Sequence, residues 1–191
     1  MRWVIFAAMT QRILFVLTLG LLSAGALVAQ HTTFPAQAEW LEKWSNSKAY
    51  TTEALQSIPD DQLAYRPSPG QMSVQEQVQH IAGNIYGLSR RYLGYQPAGF
   101  DEEALRDRLR AETLDRAALT SLLNDAYAFG AAAVRNTTPA DWDKEVGNFF
   151  AGPKSQRVII YLLQDHATHH RAQLLMYMRL LGLTPPRYRG W

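Results

Sequence analysis

The chain has 191 residues, 47% hydrophobic and 19% charged, with a formal charge of +2 and no cysteine. The length suits one domain with an appendage, and the composition excludes a disordered tail or a fibrous repeat. The lack of cysteine excludes disulfides, thiolate metal sites, cysteine nucleophiles and a lipidated N-terminal cysteine.

The first segment reads as an address. Arg2 and Arg12 lie in the first 38 residues, which contain no Asp or Glu. Taking both from the 19 basic residues leaves 17 against 17 acidic, so the remainder is neutral. A neutral remainder offers no basic surface, and no nucleic-acid partner is expected. Ile13 to Ala29 form an uncharged run of 17 residues behind the two arginines. A basic start, an apolar run and small residues predict a signal peptide over residues 1–38, with the mature domain over 39–191 and an exported, periplasmic or secreted location. Ala36-Gln37-Ala38 and Ala24-Gly25-Ala26 both have the small-x-small form of a cleavage site, and the later one is preferred. The alternative is an uncleaved N-terminal membrane anchor, for which 17 residues is short of the ~20 that span a bilayer. Only a retained leader would make the membrane a partner.

Beyond the leader the pattern is helical. Trp40, Leu41, Trp44, Ala54, Leu55 and Ile58 predict a first helix over about 37–57. Pro59, Pro67 and Pro69-Gly70 make a loop. Ser73 and Glu76 form a capping box that opens a second helix to about Leu93, with Val74, Val78, Ile81, Ile85, Leu88 and Tyr92 inward. Gly94 and Pro97 end it. Asp101-Glu102-Glu103 places acids at the start of a short helix. Asp115 caps a third long helix, with Leu119, Leu122, Leu123, Ala126 and Phe129 inward, ending near Asn136. A helical turn at Thr138–Asp141 and an irregular or short extended stretch from Lys144 to Lys154 follow. Ser155, read as a cap and not a nucleophile, opens the last helix to about Leu181, before Gly182 and Pro185-Pro186. The predicted fold is all-α: a four-helix bundle with a short extra helix and an irregular connection before the last helix.

Of five histidines, His31 lies in or just after the leader, and the others are His80, His166, His169 and His170. His166 and His170 are spaced i, i+4, so their rings share one helix face with Ile159, Leu163, Tyr177 and Leu181. That spacing lets two imidazoles grip one metal ion. The competing reading is a buried pair bonded to carbonyls or water. His80, beside Gln77, Asn84, Gly87 and Arg91 on its helix wheel, is either an exposed surface residue or a third ligand lining a cleft. Gly83 and Gly87 would clear bulk for such a cleft at a cost in helix propensity. His169 is turned by about 100° from His170 and suits a pocket residue that orients a ligand better than a ligand itself. Asp165 is a candidate for the same orienting role or a solvated carboxylate, and Arg91 a candidate for holding an anionic substrate or a surface ion pair.

The run Asp165-His166-Ala167-Thr168-His169-His170-Arg171-Ala172-Gln173-Leu174, followed by Arg179-Leu180-Leu181-Gly182 and a proline pair, resembles the C-terminal motif of the DinB-like (YfiT-like) superfamily. Tyr65-Arg66-Pro67 and Met72-Ser73-Val74 through His80-Ile81 are similar to its earlier motif. The resemblance spans roughly residues 39–187 and departs from the pattern at Ala172, usually Gly, and at Tyr65 and Met72, usually Trp. It implies a four-helix bundle with a divalent ion on His80, His166 and His170, and with His169 as a neighbour rather than a ligand. Relatives in this superfamily include thiol-dependent transferases and isomerases.

Three neutral ligands leave an ion at least one open position, which is the pattern of a catalytic site. The expectation is an exported enzyme of transferase or hydrolase type, with zinc as the metal and nickel as the alternative, acting on a small molecule of unknown identity. Its alternatives are a metal-binding or stress-related module without turnover, and a bundle with purely structural histidines. No general base stands out; Glu53, Asp60 and Asp61 lie in or near the loop. A homodimer is the assembly considered.

Overall fold

The structure, a computed structural model, describes residues 33–191. In chain order the helices are α1 (Pro35–Gln56), α2 (Val74–Leu93), α3 (Glu102–Arg110), α4 (Arg116–Arg135), α5 (Pro139–Asp143) and α6 (Gln156–Leu180). Strands β1 (Glu145–Val146) and β2 (Lys154–Ser155) pair antiparallel between α5 and α6. The long helices α1, α2, α4 and α6 make the four-helix bundle.

Each start has a local cause. Ser73 accepts from the Glu76 amide while the Glu76 carboxylate accepts from the Ser73 amide, so α2 opens on a complete capping box. Asp101 and Asp115 cap α3 and α4 by accepting from the amides of Ala104 and Ala118. Gly94 ends α2 at φ 69°, a left-handed conformation that favours glycine. Ser155 holds the N-cap position of α6, but its hydroxyl makes no cap bond; the backbone of Gln156 instead donates to Lys144 O at 2.9 Å.

Around the bundle, α2 packs on α4 and α6, and α1 packs on the same two helices. The order is therefore α1, α4, α2, α6, with α1 diagonal to α2 and α4 diagonal to α6. Each diagonal step needs a long connection, which accounts for the loop after α1 and for α5 with its hairpin. The core between α1 and its neighbours is aromatic. Trp40 and Trp44 stack with centroids 4.8 Å apart. Their indole N–H groups donate to Ile160 O at 3.1 Å and Tyr127 O at 2.9 Å, tying α1 to α6 and α4. Gly130 allows this approach: a Cβ there would lie 2.9 Å from Ile85 Cγ2 and 3.0 Å from Trp44 Cζ2.

Residues 1–32, which carry most of the leader expected over 1–38, lie outside the described residues. The expected boundary after Ala38 falls inside α1. Pro35 opens that helix, where its fixed φ is already helical, and Phe34 packs edge-on against Trp142 at 5.1 Å. Gln37 is buried, and its Nε2 donates to Val134 O at 2.7 Å and Thr137 O at 3.0 Å, closing the end of α4. Alternating small residues suit a helix as well as a cleavage site, so the pattern alone did not separate the two. Among the described residues no helix is long and apolar enough to cross a membrane.

A chain starting at residue 33 should unfold cooperatively with full stability. A chain starting at residue 39 should lose about 1–3 kcal/mol, because the buried carbonyl of Thr137 loses its donor, while Val134 O keeps the Thr137 amide and hydroxyl. Urea denaturation of the two truncated forms measures the difference, and equal midpoints would show that Gln37 contributes nothing.

Candidate metal centre

His80 projects from α2 nearly two turns past the capping box, and His166 and His170 project from α6 across the α2–α6 contact. One ring nitrogen from each lies within 4.8 Å of the other two. His80 Nε2 and His166 Nε2 are 3.1 Å apart. That is close to the ~3.3 Å between two nitrogens that each sit ~2.0–2.1 Å from a tetrahedral zinc ion. His80 is exposed, His166 half-buried and His170 buried, so the group opens to solvent on the α2 side.

A chain of amides orients the deepest ring. His170 Nδ1 lies 2.7 Å from Gln77 Oε1. An amide oxygen only accepts, so Nδ1 carries the proton and Nε2 keeps the free lone pair. The assignment is fixed from the other side, where Gln77 Nε2 donates to Gln173 Oε1 and, at 3.0 Å, to Tyr177 Oη. Tyr177 in turn donates to Met72 O at 3.0 Å. Such outer partners set the tautomer and ring direction of metal-binding histidines. Gln77, Gln173 and Tyr177 form a network to which sequence reading assigned no role, although it placed Gln77 beside His80 and Tyr177 on the face of His166 and His170. Their one signal is spacing: Gln77 stands three residues before His80, and Gln173 three after His170.

His169 is exposed, with its ring edge-on to His170 at 4.8 Å. Its Nε2 accepts from Gln173 Nε2 at 2.9 Å and is thereby occupied. Asp165 is exposed on α6 and stands outside the three-histidine group. Arg91 is not brought to the site. It lies three turns beyond His80, roughly 16 Å along the helix, its guanidinium 5.9 Å from the Tyr92 ring centroid. It faces a separate hollow between α2 and α3 with Arg90, Arg106 and Arg110. The loop carboxylates are also elsewhere. Glu53 pairs with Arg189 at 3.1 Å, Asp60 pairs with Arg116, and Asp61 lines a cavity at the start of α4. The glycines matter less than expected: a Cβ on Gly87 would meet open space, and one on Gly83 would only touch Leu109 at 3.7 Å.

Burial, reinforced by the neighbouring imidazoles, lowers His170 to about 3 and His166 to about 4. Burial first and then His169 lower His80 as well. All three are neutral near pH 7, the form that offers a lone pair to a metal. Three neutral imidazoles within one small volume, with the deepest ring held by an amide, fit a divalent transition ion.

This bundle, with a three-imidazole group between two of its helices, defines a small class of helical proteins. The sequence model of the DinB family matches residues 29–190, and the chain belongs to the DinB family. No curated protein is significantly similar. Among solved structures, a DinB-like protein from Bacillus cereus is 20% identical with a TM-score of 0.64, covering 79% of this chain and 96% of its own. The DinB-like protein YjoA from Bacillus subtilis is 23% identical with a TM-score of 0.60, covering 79% and 97%. YfiT from Bacillus subtilis, described as a probable metal-dependent hydrolase with an unusual four-helix bundle topology, is 20% identical with a TM-score of 0.62, covering 80% and 92%. These likenesses establish the fold.

Two outcomes follow from the local physics. Folded-state values for His166 and His170 of about 4 and about 3 lie below the ordinary 6.5, so acid protonates the unfolded chain first. The metal-free protein should hold its full stability above about pH 6.5 and lose it progressively toward pH ~3–4. Denaturant midpoints across that range, for the wild type and His170→Gln, test this; the variant should lose less. Separately, Gly87→Ala should raise stability by about 0.5–1 kcal/mol through helix propensity alone, read from thermal unfolding.

Proposed function

We propose that this protein is an exported, metal-dependent enzyme of hydrolase type, with group transfer as the alternative chemistry, and that His80, His166 and His170 hold its divalent ion. Zinc is the first choice and nickel the alternative. One observation carries the reading: three neutral ring nitrogens converge, and the most deeply buried ring has its outward nitrogen protonated and held by Gln77. When bound, such an ion supplies a Lewis acid and lowers the pKa of coordinated water. The chain's own residues then bind, orient and exclude water. His170 and Gln77 keep one wall dry, while His80 stands at the exposed mouth.

The side chains near the mouth do not supply a strong base. Glu76 precedes His80 by one turn, but its carboxylate is held by the Ser73 amide at 2.6 Å and by Arg66 at 3.1 Å. These bonds hold its pKa below the usual carboxylate range. A proton released in the reaction therefore passes to solvent at the mouth. YfiT's description as a metal-dependent hydrolase supports the same reading.

Export rests on the leader. Since α1 begins at Pro35, cleavage after Ala24-Gly25-Ala26 would leave Phe34 and Gln37 in the mature protein, and we favour it over the later position.

Elemental analysis of protein purified without chelator should give about one divalent ion per chain. His166→Ala and His170→Ala should abolish tight binding in calorimetric titration, whereas His169→Ala should cost at most ~10–100-fold. Thermal stability should follow the same ranking, because an ion bound only to the folded state raises it. Metal binding that survives His170→Ala but not His169→Ala would overturn the ligand assignment. A bound ion without turnover of any ester or amide would favour a binding module.

A further inference from the structure

Beside His80 a cleft of about 630 Å³ opens between α2, the loop carrying Arg66 and Met72, and Leu109 of α3. Its charges balance, since Arg66 pairs with Glu76 at 3.1 Å. Gly83 and Leu109 also line the hollow of about 300 Å³ further along α2, so the two spaces adjoin. Here α3 runs back along α2: Glu102 meets Arg90 at 2.8 Å, and Leu109 lies beside Gly83. The groove between the helices therefore leads from His80 toward Arg91.

The far end of this groove is not balanced. Arg90, Arg91, Arg106 and Arg110 line it with one carboxylate, Glu102. Arg90 is occupied by Glu102 and by the Phe100 ring, whose centroid is 4.7 Å from its guanidinium. Arg91, Arg106 and Arg110 are exposed and form no ion pair among the described residues. A place in the last turn of a helix suits Arg91 and Arg110, because a cation there complements the helix dipole. That reason does not cover Arg106. It stands i, i+4 from Arg110, where like charges repel, and it lines the hollow while Glu103 and Asp107 of the same helix lie outside it. The floor is bare backbone at Gly83 and Gly87, although a Cβ on either would find room. Repulsion and poor helix propensity gathered at one concave place serve function rather than folding.

We propose that this hollow binds a phosphoryl group through Arg91, Arg106 and Arg110, and that the ligand of the histidine cleft is a phosphorylated small molecule lying along the α2–α3 groove. A phosphate dianion offers acceptors in several directions, so guanidinium forks from both helices can engage it together; a carboxylate is planar and carries one charge. Gly87, at the level of the hollow, stands seven residues past His80, about 10 Å along the helix. The phosphoryl group is thus a handle held at a distance from the atom that meets the histidines. This second half rests on the metal-centre reading above; the anion site stands without it.

The first test uses metal-free protein, so that no ion can hold the probe. Butyl phosphate, added at constant ionic strength, should shift the Gly87 amide resonance saturably, and hexanoate should bind more weakly. Arg106→Gln combined with Arg110→Gln should weaken butyl phosphate about tenfold, the worth of one charge-assisted hydrogen bond, with circular dichroism reporting an intact fold. Arg135→Gln, which removes an exposed charge at the end of α4, should change nothing. An unmoved Gly87 resonance, equal binding of hexanoate, or an equal loss in Arg135→Gln would each overturn the anion site. Retention on phosphatidate vesicles that butyl phosphate does not displace would overturn the small-molecule reading. The second test follows the visible spectrum of cobalt(II)-loaded protein. Octanohydroxamate with a terminal phosphonate should bind about tenfold tighter than plain octanohydroxamate, a gain that the double variant loses and that a phosphonate on propanohydroxamate does not give. Absence of that gain overturns the span along the groove. If no hydroxamate perturbs the cobalt spectrum, the three-histidine reading fails instead, and the first test still decides the anion site.

Discussion

Gln77 is fully buried in the α2–α6 contact, and that one constraint organises the site. A buried primary amide must place both its donors and its acceptor, or lose the hydrogen bonds it had in water. Every partner it finds is on α6: His170, Gln173 and Tyr177. The register of α2 against α6 is therefore held by polar geometry as well as by apolar packing. Slipping either helix by one residue would leave several buried polar groups unpaired at once. His80 rides on the same helix, so the register that satisfies Gln77 also carries His80 to within hydrogen-bonding distance of His166. Tyr177 extends the network to Met72 O and fixes the loop that borders the cleft. Networks of this kind contribute most when every member is satisfied.

The aromatic contacts on the other side of the bundle have a matching role. Trp40 and Trp44 close α1 on both α4 and α6, and the hydroxyl of buried Tyr127 meets Ser47 and Thr51 at 3.0 Å. Arg171, next to His170, is buried there too, donating to Ser47 Oγ at 2.7 Å and standing over the Tyr50 ring. The back of α6 is thus held as firmly as its histidine face, which keeps the histidine rings from turning.

What was legible in the sequence was local. Capping by Ser73, Asp101 and Asp115 depends on residues three positions apart, and all three caps form. The i, i+4 placement of His166 and His170 is equally local. Where His80 points depends on the register between distant helices, and periodicity could not decide it; the family motif did. The glutamine network stayed hidden for the same reason, since nothing in a single helix shows that Gln77 and Gln173 face each other. Arg91 shares a helical stripe with His80, yet helix length separates them, because a stripe fixes direction and not distance. The expected leader boundary after Ala38 falls inside α1, because small residues serve helix and cleavage site alike.

The diagonal order of the helices also sets a schedule. His80 and His166 are 86 residues apart in the chain, and Gln77 and His170 are 93 apart. During synthesis from the N-terminus, α2 emerges long before the helix that completes the group. No half of the chain can hold an ion in this geometry by itself. On the proposed reading, metal capture is therefore a late event, and the ion is drawn from whichever compartment the finished chain folds in.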